Sequence, residues 1–147
     1  MNLPRLHLLS RAERERIVAA IRAAEHATSG EIRVHLQSRC GADPVADATR
    51  VFERLGMTRT AARNGVLLFL AWRSRRFAVI GDSGIHGRVG DAFWQATVEA
   101  MTLHFDRGDL VAGLEAGVLA AGESLKKHFS HQSNDVNELP DAISEAR

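Results

Sequence analysis

The stretch GVLLFLAWRSRRFAVI, residues 65–80, decides the fold of this chain. Residues 65–72 are apolar without interruption, which is typical of a strand covered on both faces near the centre of a sheet. The polar residues 73–76 separate this run from a second apolar run at residues 77–80, and so short a spacing favours a hairpin of antiparallel strands. The sequence therefore predicts a central sheet that contains one antiparallel hairpin.

One strand and two helices are predicted before this hairpin. Residues 31–37 alternate between apolar and polar side chains, which indicates a half-buried strand. Upstream of that strand, Ser10 and Glu13 have the spacing of a capping box, so we expect a first helix to begin there. Downstream of it, Asp43 followed by Pro44 is typical of the N-cap and first turn of a second helix.

Two further helices are predicted after the hairpin. A glycine-rich loop at residues 81–87 leads into a third helix, which residues 106–108 end, and Asp109 can cap a fourth helix. After the fourth helix the composition turns polar and no hydrophobic period survives. The sequence therefore predicts a single α/β domain at residues 1–129 and a mobile polar tail at residues 130–147.

Composition and charge narrow the class of protein. A chain of 147 residues has the usual size of one domain, and a formal net charge of +1 is too small for a dedicated nucleic-acid binder. The apolar run at residues 66–72 is far shorter than the roughly 20 residues of a membrane-spanning helix. The single cysteine, Cys40, cannot form an internal disulfide. We expect a cytoplasmic protein that has no transmembrane segment of its own and does not bind nucleic acid.

The order of these elements and several local motifs resemble the TPM domain family, a group of small α/β domains. The motifs that carry the resemblance are AEHATSGEIRVHL at residues 24–36, DATRVFERLGMTRTAARNGVLLFLAW at 47–72, RFAVIGDSGI at 76–85, DRGDLVAGLEAGV at 106–118 and DVNELPD at 135–141. The resemblance implies a central, mostly parallel sheet of about four strands that includes the antiparallel hairpin. About four helices flank this sheet, so that the domain is a three-layer α/β sandwich.

The resemblance implies two classes of function. In the first, the domain is an accessory or protein-interaction module that docks on a partner protein associated with a membrane. In the second, it is a divalent-metal-dependent phosphatase, because plastid members have been described as acid phosphatases and some bacterial members as binding divalent metal through acidic loop residues. The first class is favoured, since the residues supply no complete set of nucleophile, acid and base.

Asp82 and Asp91 are the candidate ligands of a divalent cation, either calcium or magnesium. Asp82 follows the FAVI strand within the glycine-rich loop, and open α/β sheets place ligands beyond the carboxyl ends of their strands. Hard cations prefer several oxygen ligands, which the two carboxylates, the hydroxyl of Ser83 and main-chain carbonyls can supply. The alternative is that Asp82 shapes a turn or caps a helix.

Other positions belong to the TPM pattern, namely Glu31, Asn64, Gly81, Ser83 and Gly84. Glu31 follows a Thr-Ser-Gly turn at the start of the first strand, where the alternative is a structural pair with Arg33 or Arg63. Asn64 is either a turn residue or a polar group at the rim of the sheet.

An arginine cluster lies at the predicted tip of the hairpin. Arg73, Arg75 and Arg76 can bind an anion there, because guanidinium groups match phosphate oxygens, and the alternative is an ordinary solvated turn.

Overall fold

A computed structural model describes residues 9–85, 91–129 and 143–146 of the chain. Its helices are α1 (Arg11–His26), α2 (Pro44–Arg54), a short 3₁₀ helix (Asp91–Trp94), α3 (Gln95–Phe105) and α4 (Leu110–Lys126). Its strands are β1 (Glu31–Gln37), β2 (Gly65–Ala71), β3 (Arg76–Gly81) and β4 (Ile143–Glu145).

The four strands form one mixed sheet in the order β3-β2-β1-β4. β1 runs parallel to both β2 and β4, and β2 and β3 form the antiparallel hairpin. Every residue of β2 is buried, because helices cover this strand on both faces. The predicted mostly parallel sheet with one hairpin and a central apolar strand is therefore confirmed.

Two hydrophobic cores lie on opposite faces of the sheet. On one face, Val34 of β1 and Leu68 of β2 pack with residues of α1, α3 and α4. On the other face, Leu67 and Phe69 of β2 pack against α2, with Phe52 as its largest buried side chain. Helices on both faces make the three-layer α/β sandwich that was expected.

The predicted helix starts are confirmed. At α1, the hydroxyl of Ser10 accepts the amide of Glu13, and the carboxylate of Glu13 accepts the amide of Ser10, which makes a complete capping box. Asp43 and Asp109 accept main-chain amides at the starts of α2 and α4. No helix in the described parts of the chain is both long and apolar enough to cross a bilayer.

The last strand lies within the segment that was expected to be a mobile tail. Residues 143–145 form β4, whose Ile143 is buried in the core beside β1, and the amide of Ala146 donates to the carbonyl of Leu36 at 2.8 Å. Main-chain pairing, the buried side chain of Ile143, the ion pair of Glu145 with Arg14 and the hydrogen bond of Ser144 with His35 hold this strand. Three residues are too few for a detectable period. For residues 130–142 and 147, which lie outside the described residues, the tail remains a prediction, and the motif at 135–141 lies there too.

Candidate functional site

The residues of the TPM pattern meet at one edge of the sheet, the one at which strands β1 and β2 begin and β3 ends. Glu31 pairs with Gly65 at the beginning of the two parallel strands, and Gly81 at the end of antiparallel β3 pairs with Val66. The loop after β3 therefore lies where β1 and β2 begin. The sequence argument for Asp82 places this loop at the carboxyl ends of the strands. The loop lies instead at the amino ends of β1 and β2, because β3 is antiparallel to them.

We call this group of residues the Asp82 cluster; its members are Glu31, Arg63, Asn64, Asp82, Ser83 and Gly84. Main-chain hydrogen bonds join its three segments. The amide of Glu31 donates to the carbonyl of Asn64, the amide of Asp82 donates to the carbonyl of Gly65, and the amide of Gly84 donates to the carbonyl of Arg63. The sequence thus identified residues that the fold brings together, although they come from three separate segments.

Asp82 is, with Glu31, one of the two buried carboxylates of this cluster, and it binds Arg63 through both of its oxygens. Nε of Arg63 lies 2.8 Å from Oδ2, and Nη2 lies 3.0 Å from Oδ1, in the parallel geometry of a bidentate pair. Oδ1 also accepts the amide of Ser83 at 2.7 Å. Hydrogen bonding to Asp82 raises the pKa of Arg63. The guanidinium of Arg63, which is an alternative partner for Glu31 in the sequence, is engaged by Asp82.

Close packing of two loops fixes the position of this pair. A Cβ atom on Gly84 would lie 2.2 Å from the carbonyl oxygen of Ala62, so only glycine fits against that backbone. Arg63 has a positive φ of 51°, a conformation that L-residues seldom adopt. Gly81 lies under Trp94, one of whose ring atoms would be 3.0 Å from an added Cβ. The loop after β3 is therefore built tightly around its glycines.

Glu31 and Asn64 are buried polar residues of the same edge. The side-chain amide of Asn64 donates to the hydroxyl of Ser29 at 3.3 Å, and its main-chain amide donates to the hydroxyl of Thr60 at 3.2 Å. Asn64 thus combines the two predicted roles, because it holds a turn and lies at the rim of the sheet.

In this arrangement the carboxylate of Asp82 is engaged by groups of the protein itself. Both oxygens of Asp82 already accept from a cationic side chain, which a metal ion would have to displace. No group of three His, Cys, Asp or Glu side chains in residues 9–85, 91–129 and 143–146 is arranged to hold a metal. Asp91 begins the 3₁₀ helix, and its side chain lies outside the described residues. The cation at Asp82 and Asp91 stays a prediction.

The arginine cluster of the hairpin lies at the opposite edge of the sheet. The guanidinium of Arg76 donates to the carbonyl of Gly41 at 2.9 Å, and that of Arg73 lies 4.9 Å from the ring centroid of Trp72. Arg75 is exposed and has a positive φ of 54° at the turn. Two of the three predicted anion-binding side chains therefore have partners within the chain.

A groove along the edge strand β3 is a feature that the sequence did not predict. The groove, which we call the β3 groove, has a volume of about 780 Å³ and its floor is Phe77–Gly81. Val45 and Thr49 of α2 form one wall, and Trp94, Val98 and Thr102 form the other. Val45 is 55% exposed and Val98 37% exposed, although both are apolar. The apolar FAVI run predicts a strand, but only the strand order shows that it is the outermost strand of the sheet.

Among the described residues, no strand pairs with the outer side of β3. The amide of Asp82 donates to the carbonyl of Gly65, so these two residues are a hydrogen-bonded pair. Such pairs alternate along an antiparallel ladder, and the main-chain groups of Ile80 and Ala78 therefore bond to β2. The N–H and C=O groups of Phe77, Val79 and Gly81 then point out of the sheet into the β3 groove. In the described chain, no main-chain group bonds to them.

Comparisons with known proteins assign the family. Residues 5–124 match the model of the TPM domain, whose label is TPM phosphatase. No curated protein is significantly similar to the chain. The chain is 40% identical to the BA42 protein of the psychrophilic bacterium Bizionia argentinensis, whose NMR structure has a TM-score of 0.91, with 97% of this chain and 99% of that one covered.

Two NMR structures of N-terminal domains are more distant neighbours. A domain from a P. gingivalis protein has a TM-score of 0.67 and 26% identity, with 86% of this chain and 83% of that one covered. The domain of the cg2496 protein of Corynebacterium glutamicum has a TM-score of 0.65 at 18% identity, with 95% and 82% covered, and shares the fold. With the family model matched over most of its length, this chain belongs to the TPM domain family.

Proposed function

We propose that this TPM domain is a protein-interaction module that binds an extended segment of a partner protein in the β3 groove. The observation that carries the proposal is the outer side of β3, where no main-chain group of residues 9–85, 91–129 or 143–146 bonds to Phe77, Val79 or Gly81, so that a further strand can pair there. Proteins commonly bind extended peptides by adding them to such an edge.

The side chains of the groove suit such a partner. Edge strands that must stay unpaired are usually protected by charges, proline or a bulge, whereas residues 77–81 of β3 carry none of these. An added strand would direct alternate side chains to the two walls, where Val45 and Val98 offer exposed apolar surface. We therefore expect the bound segment to carry apolar residues at alternate positions.

The test begins with a displayed library of random eight-residue peptides selected against the full chain. The most enriched peptide is synthesised and titrated while the backbone amides are followed by NMR. We expect saturable shifts at Phe77, Val79 and Gly81, and alternating apolar residues in the peptide. Val98→Lys, in the wall of the groove, should weaken binding about tenfold or more, because it places a charge against apolar side chains.

Leu103→Lys is the matched control, since Leu103 is an exposed apolar residue of the same helix that does not line the groove. Val79→Pro tests the main chain itself, because it removes an outward N–H without removing a bond to β2. Peptide binding that survives both Val98→Lys and Val79→Pro would contradict the proposal. Concentration-dependent dimerisation of the free chain through β3 would instead identify a second copy as the occupant.

A cytoplasmic location and a membrane-associated partner stay part of this proposal. Cys40 is a free thiol in the structure, which suits a reducing compartment. The membrane association of the partner rests on the resemblance to family members that are fused to membrane helices.

Phosphate-ester hydrolysis is the second candidate function, because the family model that matches the chain is named TPM phosphatase. The measurement is turnover of p-nitrophenyl phosphate with calcium or magnesium. Loss of turnover in Asp82→Asn, with the fold intact by circular dichroism and with turnover retained in the exposed control Arg59→Gln, would favour this function. No turnover by the native chain would remove it.

A further inference from the structure

An open cavity lined by arginines lies at the other edge of the sheet, where β1 ends and the chain turns into α2. It has a volume of about 330 Å³ and is lined by Gln37, Arg39, Cys40, Asp47, Arg50 and Arg54, with Val51 beneath them. We call it the arginine cavity. Because β1 and β2 are parallel, both strands have their carboxyl ends at this edge, which is where open α/β sheets bind ligands.

Hydrogen bonds fix the main chain around the arginine cavity. The carbonyl of Gln37 accepts the amide of Trp72 at 3.0 Å, and the side-chain amide of Gln37 donates to the carbonyl of Arg39 at 2.7 Å. The amide of Gly41 donates to Asp47 at 2.6 Å. The arginine side chains therefore extend from a fixed frame, which lowers the entropy cost of holding a ligand.

The cavity has an excess of positive charge. Asp47, its one acidic residue, is already bound by the amide of Gly41 and by the guanidinium of Arg50. Arg39 and Arg54 form no ion pair with an acidic side chain within the described ranges. Burial is the largest cause that lowers the pKa of His35 on β1, and the positive charge of Arg54 lowers this pKa further.

We infer that the arginine cavity binds a small molecule that carries a phosphate group. Guanidinium groups present their N–H donors in planar forks, and a phosphate has enough oxygens to accept from two such forks, one from Arg39 and one from Arg54. The cavity is larger than a phosphate group, so it also has room for a small organic part. This site is separate from the Asp82 cluster at the opposite edge and from the β3 groove.

The test titrates orthophosphate and glycerol phosphate into the full chain at low ionic strength, with amide shifts read by NMR. We expect saturable shifts within residues 37–54. Arg39→Gln and Arg54→Gln should each raise the dissociation constant about tenfold, because each removes charge-assisted hydrogen bonds. Both arginines are exposed, so the variants should fold, which thermal melting checks.

Cys40 gives an independent readout, since it is the only cysteine and it lines the cavity. Bound phosphate should slow its alkylation by iodoacetamide, a neutral reagent. Unchanged alkylation at saturating phosphate would overturn the assignment to this cavity.

Arg59→Gln is the matched control, because Arg59 is exposed in the connection between α2 and β2 and does not line the cavity. An equal loss of affinity in this variant would show general attraction to positive charge and overturn the inference. Succinate, a dianion with two carboxylates, should bind more weakly than phosphate, and equal binding would overturn the ligand class. The absence of saturable shifts in the millimolar range would overturn the site itself.

Discussion

Asp82 has its carboxylate satisfied within the protein, by Arg63 and by the amide of Ser83. Asp82→Asn keeps the shape but places a neutral amide against the guanidinium. We expect the free energy of unfolding to fall, by less than for a fully buried pair because Arg63 is half-exposed. Urea denaturation of Asp82→Asn, Arg63→Gln and the double variant measures this. The double variant should lose less stability than the sum of the two single variants. Strictly additive losses would contradict the pairing.

His35 is a second buried polar residue, and it lies on the α2 face of the sheet. It is 1% exposed, its ring stacks on Phe69 at 5.8 Å between centroids, and its nitrogens lie 3.0 Å from Ser144 Oγ and from Gln37 Oε1. Burial is the main cause that lowers its pKa, although the bond to Gln37 opposes this. The charged side chains whose fields reach it are Arg54, Arg33 and Glu145.

This lowered pKa predicts a loss of stability in acid. Unfolded histidine takes up a proton at about pH 6.5, whereas His35 stays neutral in the folded chain until a lower pH. The unfolded state therefore binds more protons below about pH 6.5, and stability falls as pH drops through that window towards the folded pKa, by at most about 1.4 kcal/mol per pH unit. Above the window the contribution is constant. Urea denaturation between pH 5 and 8 measures it.

The matched control replaces His104, a half-buried histidine of α3, by glutamine. His35→Gln should reduce the difference between the free energies of unfolding at acidic and at neutral pH. His104→Gln should leave this difference unchanged. Parallel stability curves for the native chain and His35→Gln would show that burial of the imidazole does not control the pH response.

At the scale of elements, α4 packs against its neighbours through glycines. A Cβ on Gly122 would lie 2.6 Å from Cβ and 3.1 Å from Cα of Ala24, so α1 itself would have to move. A Cβ on Gly117 would lie 2.6 Å from Cγ and Sδ of Met101 and 2.9 Å from Leu68, and the methionine side chain can adjust. The two glycines therefore allow close helix packing to different extents.

Gly122→Ala should destabilise the protein although alanine favours helix. Overpacking against α1 costs about 1–3 kcal/mol, and the gain in helix propensity offsets about 1 kcal/mol of it. Gly117→Ala should cost less, because Met101 is flexible. Glu123→Gly compared with Glu123→Ala measures propensity alone at an exposed neighbouring position. Urea denaturation decides the order, and a Gly122→Ala variant more stable than the native chain would contradict the packing argument.

The elements differ in how well the sequence predicted them. The helix starts at Ser10, Asp43 and Asp109 were predictable, because capping depends on residues within one turn. β4 was not, since its three residues are held mainly by pairing with β1, more than a hundred residues earlier in the chain. The Asp82–Arg63 pair was missed for a similar reason, because the antiparallel direction of β3 alone brings the two together.

At the scale of the whole molecule, β2 joins the two hydrophobic cores. Its adjacent residues Leu67 and Leu68 are both fully buried, on opposite faces. We expect one cooperative unfolding transition. Leu67→Ala and Leu68→Ala should each lower the free energy of unfolding by about 2–5 kcal/mol, and each should lower the urea midpoint seen by every probe. Tryptophan fluorescence reports the α1 face, because Trp72 and Trp94 pack there, and alkylation of Cys40 reports the α2 face.

The two probes should give the same urea midpoint in the native chain and should shift together in each variant. If Leu67→Ala exposed Cys40 at a urea concentration that left the tryptophan signal native, the two faces would be separate folding units. Far-UV circular dichroism provides the third midpoint for this comparison.

The candidate sites were predictable to different degrees for reasons of topology. Local motifs identified Glu31, Asn64 and Asp82, and the fold placed them at one edge. The β3 groove and the arginine cavity depend on which strand is an edge and on where parallel strands end. Those properties belong to the whole sheet, and no local pattern encodes them.

The pairing of β4 with β1 has a consequence for synthesis on the ribosome. β1 leaves the ribosome when β4 has not yet been translated, and at about 5–20 residues per second the interval between them is of the order of ten seconds. During that interval the outer edge of β1 has no partner strand from its own chain, and nascent neighbours or a chaperone can occupy it. Slowing translation after α4 should therefore favour aggregation of the nascent chain, even though β4 pairs with residues 34–36 of that edge in the completed protein.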